Sequence, residues 1–262
     1  MSGKQPVYSP QPPVPLARQA RQYARLLRRR PIRPDFRQVP FVIFAQGRTG
    51  STLLVDLLSS HPQIHCDEEI LQRRVVAPVA WVESRRRLFP DQHYGFKVKP
   101  YQLTADQRVD PKRWLQRMSG RGWRIIRLWR RNVLRHALSN MVAEHVGGFV
   151  FRAESPPPPR GIVVDTEMLI GAMRMRSDLV EQEQSALDGL PHITVCYEDD
   201  LMDASRHQAT LDRLSEQLGL QPAPARTGVR RITEQDLRDM VVNYDEVAEA
   251  VAATQWAALL DQ

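Results

Sequence analysis

The sequence predicts an α/β fold, a three-layer domain in which a central parallel sheet is flanked by helices, and three observations predict it. Short apolar runs bounded by glycine and proline recur along the chain, helical stretches lie between them, and the first run passes through a glycine turn straight into a helix. Strands buried on both faces read as continuous apolar runs, and in such sheets ligands bind beyond the carboxyl ends of the strands.

The first expected strand is Phe41-Val-Ile-Phe-Ala45, bounded by Pro40 and Gly47. After the turn, Thr52-Leu-Leu-Val-Asp-Leu-Leu58 has helical spacing, and His61-Pro62 ends it because the residue before a proline is pushed out of the helical region. Further strands are expected at Gly95-Phe-Lys-Val98, Arg124-Ile-Ile-Arg-Leu-Trp129 and His192-Ile-Thr-Val-Cys-Tyr197. Residues 144–178 interrupt the alternation: Gly147-Gly148, four prolines from Pro156 to Pro159 and few apolar repeats predict a long mobile loop of the kind that serves as a lid. Helix returns over residues 211–218, 234–242 and 243–260, the last with Val247, Val251, Ala258 and Leu259 as its apolar face.

With 262 residues, 42% hydrophobic and 26% charged, the chain suits one large core, and the expected organisation is a basic, proline-rich arm over 1–39 followed by one domain over 40–262. The formal charge of +7 is concentrated in the arm: residues 1–40 hold nine Lys or Arg against the single acid Asp35, leaving 28 basic and 29 acidic residues beyond them. A nucleic-acid-binding domain is therefore not implied. The run from Pro10 to Pro15 cannot be helical, so only residues 16–30 are left to form a helix. Its arginines suit either a solvated flexible arm or weak contact with an acidic membrane surface. No run of 18 apolar residues exists and the N-terminus lacks the apolar stretch of a secretory signal, so a cytoplasmic protein without a transmembrane segment is expected. Cys66 and Cys196 stand far apart, and His61, His65 and Cys66 have no second ligand cluster to complete a site, so neither a disulfide framework nor a bound metal is expected.

Strand, then Gln46-Gly-Arg-Thr-Gly-Ser-Thr52, then helix is an arrangement in which free backbone N–H groups and the positive end of a helix meet an anion. Gly50 permits close approach, and Ser51 and Thr52 add hydroxyl donors. A GxxxxGK[ST] loop would need Gly at 45 and Lys at 51, where this chain has Ala45 and Ser51, so a nucleotide triphosphatase is disfavoured. The cation sits at Arg48, inside the turn.

Gly47-Arg-Thr-Gly-Ser-Thr-Leu-Leu54, following its strand, resembles the 5'-phosphosulfate loop of sulfotransferases, particularly the bacterial nodulation and carbohydrate-type enzymes. A second stretch extends the likeness: strand 124–129 runs into Arg130-Arg-Asn, with Ser139 eight residues after Arg131, which resembles the 3'-phosphate motif of the same family. Read from the residues alone, that stretch is equally a basic surface helix. Gly95-Phe-Lys97, Val195-Cys-Tyr-Glu-Asp199 and the closing Asn243-Tyr-Asp-Glu extend the likeness over residues 40–260, with an extra acid, Asp200, before Leu201.

The resemblance implies a P-loop-like fold and transfer of a sulfuryl group from 3'-phosphoadenosine 5'-phosphosulfate (PAPS), without a metal, to a hydroxyl of a small molecule or glycan. It implies PAPS binding by Gly47, Arg48, Thr49, Gly50, Ser51, Thr52, Arg131 and Ser139, and by Tyr197 if that residue is not simply part of the core. Arg48 and Lys97 become the cations of the transfer step. The related bacterial enzymes carry a Glu-Ile or Glu-Phe facing the acceptor, and alignment on Glu69-Ile70 makes Glu69, rather than Glu68, the expected general base. Two other readings stay open. One is a nucleotide or metabolite kinase, with Gly161-Ile-Val-Val-Asp165 as a strand ending in a magnesium-binding Asp; the other is a non-catalytic anion- or membrane-surface-binding module.

Overall fold

A computed structural model describes residues 11–28, 38–147, 151–152, 161–230 and 236–261. The central strand is β1 (Phe41–Ala45), whose five side chains are all buried. Side chains alternate across a strand, so Phe41, Ile43 and Ala45 enter one hydrophobic core while Val42 and Phe44 enter another. That double burial is why the run carries no polar alternation. β3 (His93–Val98) and β4 (Arg124–Trp129) pair with β1 on either side, and β2 (Ile64–Asp67) and β6 (Ile193–Cys196) complete a five-stranded, all-parallel sheet in the order β2-β3-β1-β4-β6. Gly95 of β3 faces the Phe41 ring so closely that a Cβ there would stand 2.1 Å from it.

The first core is closed by α2 (Ser51–Ser59), through Leu54, Leu57 and Leu58, and by α7 (His207–Gln217), through Leu211 and Leu214. The second is closed by α3 (Pro78–Arg86), by α4 (Pro111–Ser119) with Trp114, Leu115 and Met118, and by Ala186 and Leu187 at the end of α6 (Thr166–Leu187). Helices thus cover both faces of the sheet, the three-layer architecture the sequence predicts. β1 and β4 span the residues expected of them, and β3 and β6 differ from expectation by one or two residues at an end. β2 was not expected, because its inward Ile64 and Cys66 alternate with His65 and Asp67, the pattern of a short edge strand.

By internal packing the described residues fall into two compact units. One holds those up to Trp129 together with Glu183–Thr227, and includes the whole five-stranded sheet; the other holds those of Arg130–Gln182 and Gly228–Gln262. The second unit has its own core, built by α5 (Val133–Val146), the first part of α6, α8 (Leu237–Met240) and α9 (Tyr244–Ala252), with Leu134, Leu138, Leu169, Met173, Val247 and Val251 among its buried members. Within it β5 (Phe151–Arg152) pairs antiparallel with β7 (Val229–Arg230).

Two expectations change. The lid expected over 144–178 begins inside α5 and ends inside α6: Leu169, Met173 and Arg176 are one buried stripe at helical spacing, carried by Met and Arg and therefore weak as an apolar signal. Residues 148–150 and 153–160 of that stretch lie outside the described residues. The arm expected to be solvated is instead packed on the sheet unit over residues 11–24. There Val14 N–H donates to Arg74 O, Arg73 donates to Pro12 O and Pro13 O, and the chain then enters α1 (Leu16–Arg28). Gln19 of α1 is buried, donating to Val14 O and accepting from Val76 N–H, and Tyr23 meets Trp81 edge to face. Residues 1–10 and 29–37 lie outside the described residues. Among the described residues, no helix is long and apolar enough to cross a membrane.

Candidate active site

The turn after β1 is shaped by two left-handed residues, Arg48 at φ 68° and Gly50 at φ 86°. Left-handed backbone in such a turn gathers successive N–H groups on one concave side, which favours an anion, and a non-glycine residue held there, as Arg48 is, stores strain of the kind found at functional sites. Gly50 is the N-cap of α2 and, having no side chain, accepts no bond from the first turn, whose N–H groups are those an α-helix leaves without an intrahelical partner. Glycine is required at 50 twice over: the backbone is left-handed, and a Cβ would stand 2.7 Å from Cδ2 of Tyr197. Thr49 is buried and its hydroxyl donates to Gln46 O. Ser51 is buried at the start of α2.

Lys97 comes to the turn through sheet register. It pairs with Ile43 of β1, and residues paired in parallel strands face the same side, here the side covered by α2. Its ammonium donates to Thr52 Oγ1 at 2.9 Å, lies against Glu68 and stands 3.5 Å from Glu69 Oε1. Lys99, two residues further and so on the same side, reaches Glu69 Oε1 at 2.9 Å, and its ammonium would be 3.9 Å from a Cβ built on Gly47. The buried amide of Gln102 completes the cluster, donating to Glu69 Oε2 at 2.6 Å and accepting from Lys99 N–H at 2.9 Å.

Burial alone would raise the Glu69 carboxyl, but Lys99, Lys97 and the Gln102 amide outweigh it and hold the group below the usual carboxylate range. Burial opposes the Lys99 charge likewise, and Glu69 with Tyr101 outweighs it, so Lys99 is raised. Glu68, by contrast, has a side chain 54% exposed. The two carboxylates follow directly on β2, whose last residue is tied down. Asp67 accepts from Arg85 and from the Tyr94 hydroxyl, both at 2.7 Å, and these bonds outweigh its burial and hold its carboxyl low. Lys99 and Gln102 were not singled out by sequence. The available signal was two lysines at a spacing of two, closing an otherwise apolar buried strand.

Tyr197 begins a wide π-type turn after β6, Tyr197–Leu201, in which Met202 N–H bonds to Tyr197 O. The ring lies in the first core with its edge on Gly50, so Tyr197 is a core residue that braces the glycine turn. The extra acid Asp200 is structural: it accepts from Cys196 N–H and from Arg213 of α7.

Arg131 and Ser139 belong to the other unit. Arg131 is exposed just before α5, Asn132 caps that helix by accepting from Arg135 N–H, and Ser139 is buried along it. Asp165, the acid of the kinase reading, accepts from Met168 N–H at the start of α6, and Ile162 makes an isolated bridge to Val241 in place of a strand. Among the described residues no group of three His, Cys, Asp or Glu is placed to hold a metal ion.

Residues 40–132, which include β1, the turn, Glu68, Glu69, Lys97 and Lys99, match the family model of the sulfotransferase family. None of the curated proteins matches the sequence. Among solved structures the chain is similar to a sulfotransferase from Alicyclobacillus acidocaldarius, at 13% identity and a TM-score of 0.47, over 85% of this chain and 96% of that one. It is also similar to the sulfotransferase domain of the Synechococcus PCC 7002 olefin synthase, at 12% identity and a TM-score of 0.44, over 87% of this chain and 96% of that one.

Proposed function

We propose that the protein transfers a sulfuryl group from PAPS to a hydroxyl of a small molecule or glycan, and that Glu69 accepts the hydroxyl proton. The observation that carries this reading is the joining of two chemistries in one cluster. A left-handed turn at a helix N-terminus without a side-chain cap suits an anionic group, and Lys97 links that turn, through Thr52, to two carboxylates. The residues fit such a donor: Gly50 leaves no side chain over the turn, and Ser51 and Thr52 offer hydroxyls.

In this reading the backbone of 47–52 and Arg48 bind the 5'-phosphosulfate, and Lys97 neutralises charge gathering on the transferred group. The acceptor oxygen forms its bond to sulfur as the sulfur–oxygen bond to the 5'-phosphate breaks, and the bisphosphate nucleotide leaves with the bonding pair. Glu69 is suited to take the released proton because its lysine partners keep it ionised. Arg131 and Ser139 are assigned the 3'-phosphate, and the body of the protein a cytoplasmic location.

The test pairs two substitutions with a PAPS-dependent transfer assay and calorimetry using adenosine 3',5'-bisphosphate. Glu69→Gln should lower turnover by roughly 100-fold or more, the range for a positioned acid or base, with nucleotide affinity nearly intact. Glu68→Gln should do much less. Equal losses in the two variants, or a chief effect of Glu69→Gln on nucleotide binding, would remove Glu69 from the role. Failure of the unmutated protein to bind the bisphosphate would overturn the donor assignment.

A further inference from the structure

Gln102 stands in the helical turn that follows β3, and the two ends of its amide meet different partners. Helical backbone begins at Pro100, so Lys99 is the residue before the helix and Gln102 is third within it. Proline suits the first helical position, and a glutamine at the third reaches back to the N–H of the residue before the helix. Here Gln102 Oε1 accepts from Lys99 N–H at 2.9 Å, while Gln102 N–H donates to Lys99 O at 3.0 Å. A backbone N–H can only donate, so the amide oxygen is committed to Lys99 and the amide nitrogen is directed elsewhere. It donates to Glu69 Oε2 at 2.6 Å, from a side chain that is 1% exposed.

Capping the helix needs the oxygen alone. The nitrogen makes the two oxygens of Glu69 unequal. Oε1 faces two ammonium groups, Lys99 at 2.9 Å and Lys97 at 3.5 Å, and a carboxylate oxygen has two lone pairs. Among the described residues the one hydrogen bond to Oε2 comes from the neutral amide, which leaves that oxygen a lone pair and less compensating charge. The Glu69 side chain is 19% exposed, so the carboxylate is not sealed from an incoming hydroxyl.

We infer that Gln102 is a positioning residue for the transfer step, and that the acceptor's proton is taken at Glu69 Oε2. This role rests on Glu69 being the proton acceptor. The acceptor O–H bond breaks as its oxygen bonds to sulfur, the proton passes to the open lone pair of Oε2, and the neutral Glu69 keeps its bond from the amide. Gln102 sets the direction of that lone pair without touching donor or acceptor. The charged groups around it are Lys99 and Lys97 of β3 and Glu68, which shares Lys97, with the Tyr101 ring beside Lys99. Burial raises the Glu69 carboxyl, and Lys99, Lys97 and the amide together lower it by more.

The discriminating substitution is Gln102→Glu. It keeps the chain length and an oxygen for Lys99 N–H, and it replaces the donor facing Glu69 with a second carboxyl. Two carboxyls that close share one proton and release it only at higher pH. In the full chain, the carboxyl carbon resonance of Glu69, assigned by its absence in Glu69→Gln, should therefore titrate at higher pH in Gln102→Glu. The rate is read as single-turnover release of adenosine 3',5'-bisphosphate from PAPS, with water in place of the acceptor hydroxyl. Relative to the unmutated protein, the rate at pH 6 should fall roughly tenfold or more against the rate at pH 8, with bisphosphate affinity retained. Gln102→Met removes the donor without adding a charge, and should move both readings the same way by less. An unmoved titration, or an unmoved ratio of rates, in both variants would make Gln102 a helix cap alone and overturn the inference. Release as fast in Glu69→Gln as in the unmutated protein would remove Glu69 as the base, and the role of Gln102 with it, even with the titration moved. Loss of release in Glu69→Gln beside an unmoved profile in the Gln102 variants would remove the role of Gln102 alone.

Discussion

Two strand-to-helix junctions occupy equivalent places in the chain and are built oppositely. After β1, the helix starts from a left-handed glycine with no side-chain cap, so the turn offers backbone N–H groups. After β4, the Asn132 side chain occupies the cap by accepting from Arg135 N–H, and the exposed group at that junction is the guanidinium of Arg131. One junction is suited to hold an anion by its backbone, the other by a side chain. The first tolerates almost no substitution at its glycine, whereas the second separates the cap, which stabilises, from the cation proposed to meet the 3'-phosphate.

That contrast breaks most visibly at Gly50. Gly50→Ala forces a Cβ into left-handed backbone, at about 1–2 kcal/mol, and into the Tyr197 ring, 2.7 Å away. A displacement of the turn of about 1 Å is worth roughly 100-fold in rate, so turnover should fall at least that far. Turnover within a few-fold of normal would mean that the backbone of this junction does not position the donor.

At the second junction, Arg131→Ala should cost roughly thirtyfold in affinity for adenosine 3',5'-bisphosphate, the loss expected when one partner of a desolvated charge pair is removed. Affinity for 5'-AMP should stay unchanged. Calorimetry with both nucleotides measures the difference, and equal affinities in the unmutated protein would leave Arg131 without its assigned phosphate.

Asn132→Ala should act on the same junction without touching recognition, lowering stability by about 1 kcal/mol through loss of the cap. A large loss of nucleotide affinity in this variant would show that cap and cation are not separable.

The smallest effect expected is on the acid limb of stability. Glu69 and Asp67 titrate below their unfolded values, so their contribution is present above about pH 4 and lost as pH falls through the folded values. Denaturant unfolding at pH 7 and at about pH 3.5 should show a shallower loss in Glu69→Gln than in the unmutated protein.

β1 and β4 were legible because their residues are apolar on both faces, and the turn after β1 because glycine spacing carries its own geometry. Lys97 was reached through the family likeness, but its bond to Thr52 spans 45 residues and follows from strand register, which a linear reading does not supply. Gln102 stayed hidden for the same reason: its partner Glu69 is 33 residues away, and a lone glutamine in a polar stretch has no periodicity to betray burial. α6 was hidden by the prolines before it and by a buried face of Leu, Met and Arg. The N-terminal segment misled in the opposite sense, since proline and arginine are the composition of a solvated tail while Gln19 and Tyr23, neither of them a strong apolar signal, anchor its helix.

The anchoring of α1 changes what a shortened form of this protein would be. A cut placed by composition at residue 38 would take away the strap that shields the second core. Val76 N–H would lose its acceptor, Trp81 the ring stacked edgewise against it, and the backbone at Arg74 its partner at Val14. Such a fragment would present fresh apolar surface next to an opened backbone edge, a combination that favours self-association. The charge of this end of the chain is therefore best altered one side chain at a time, with the strap left in place.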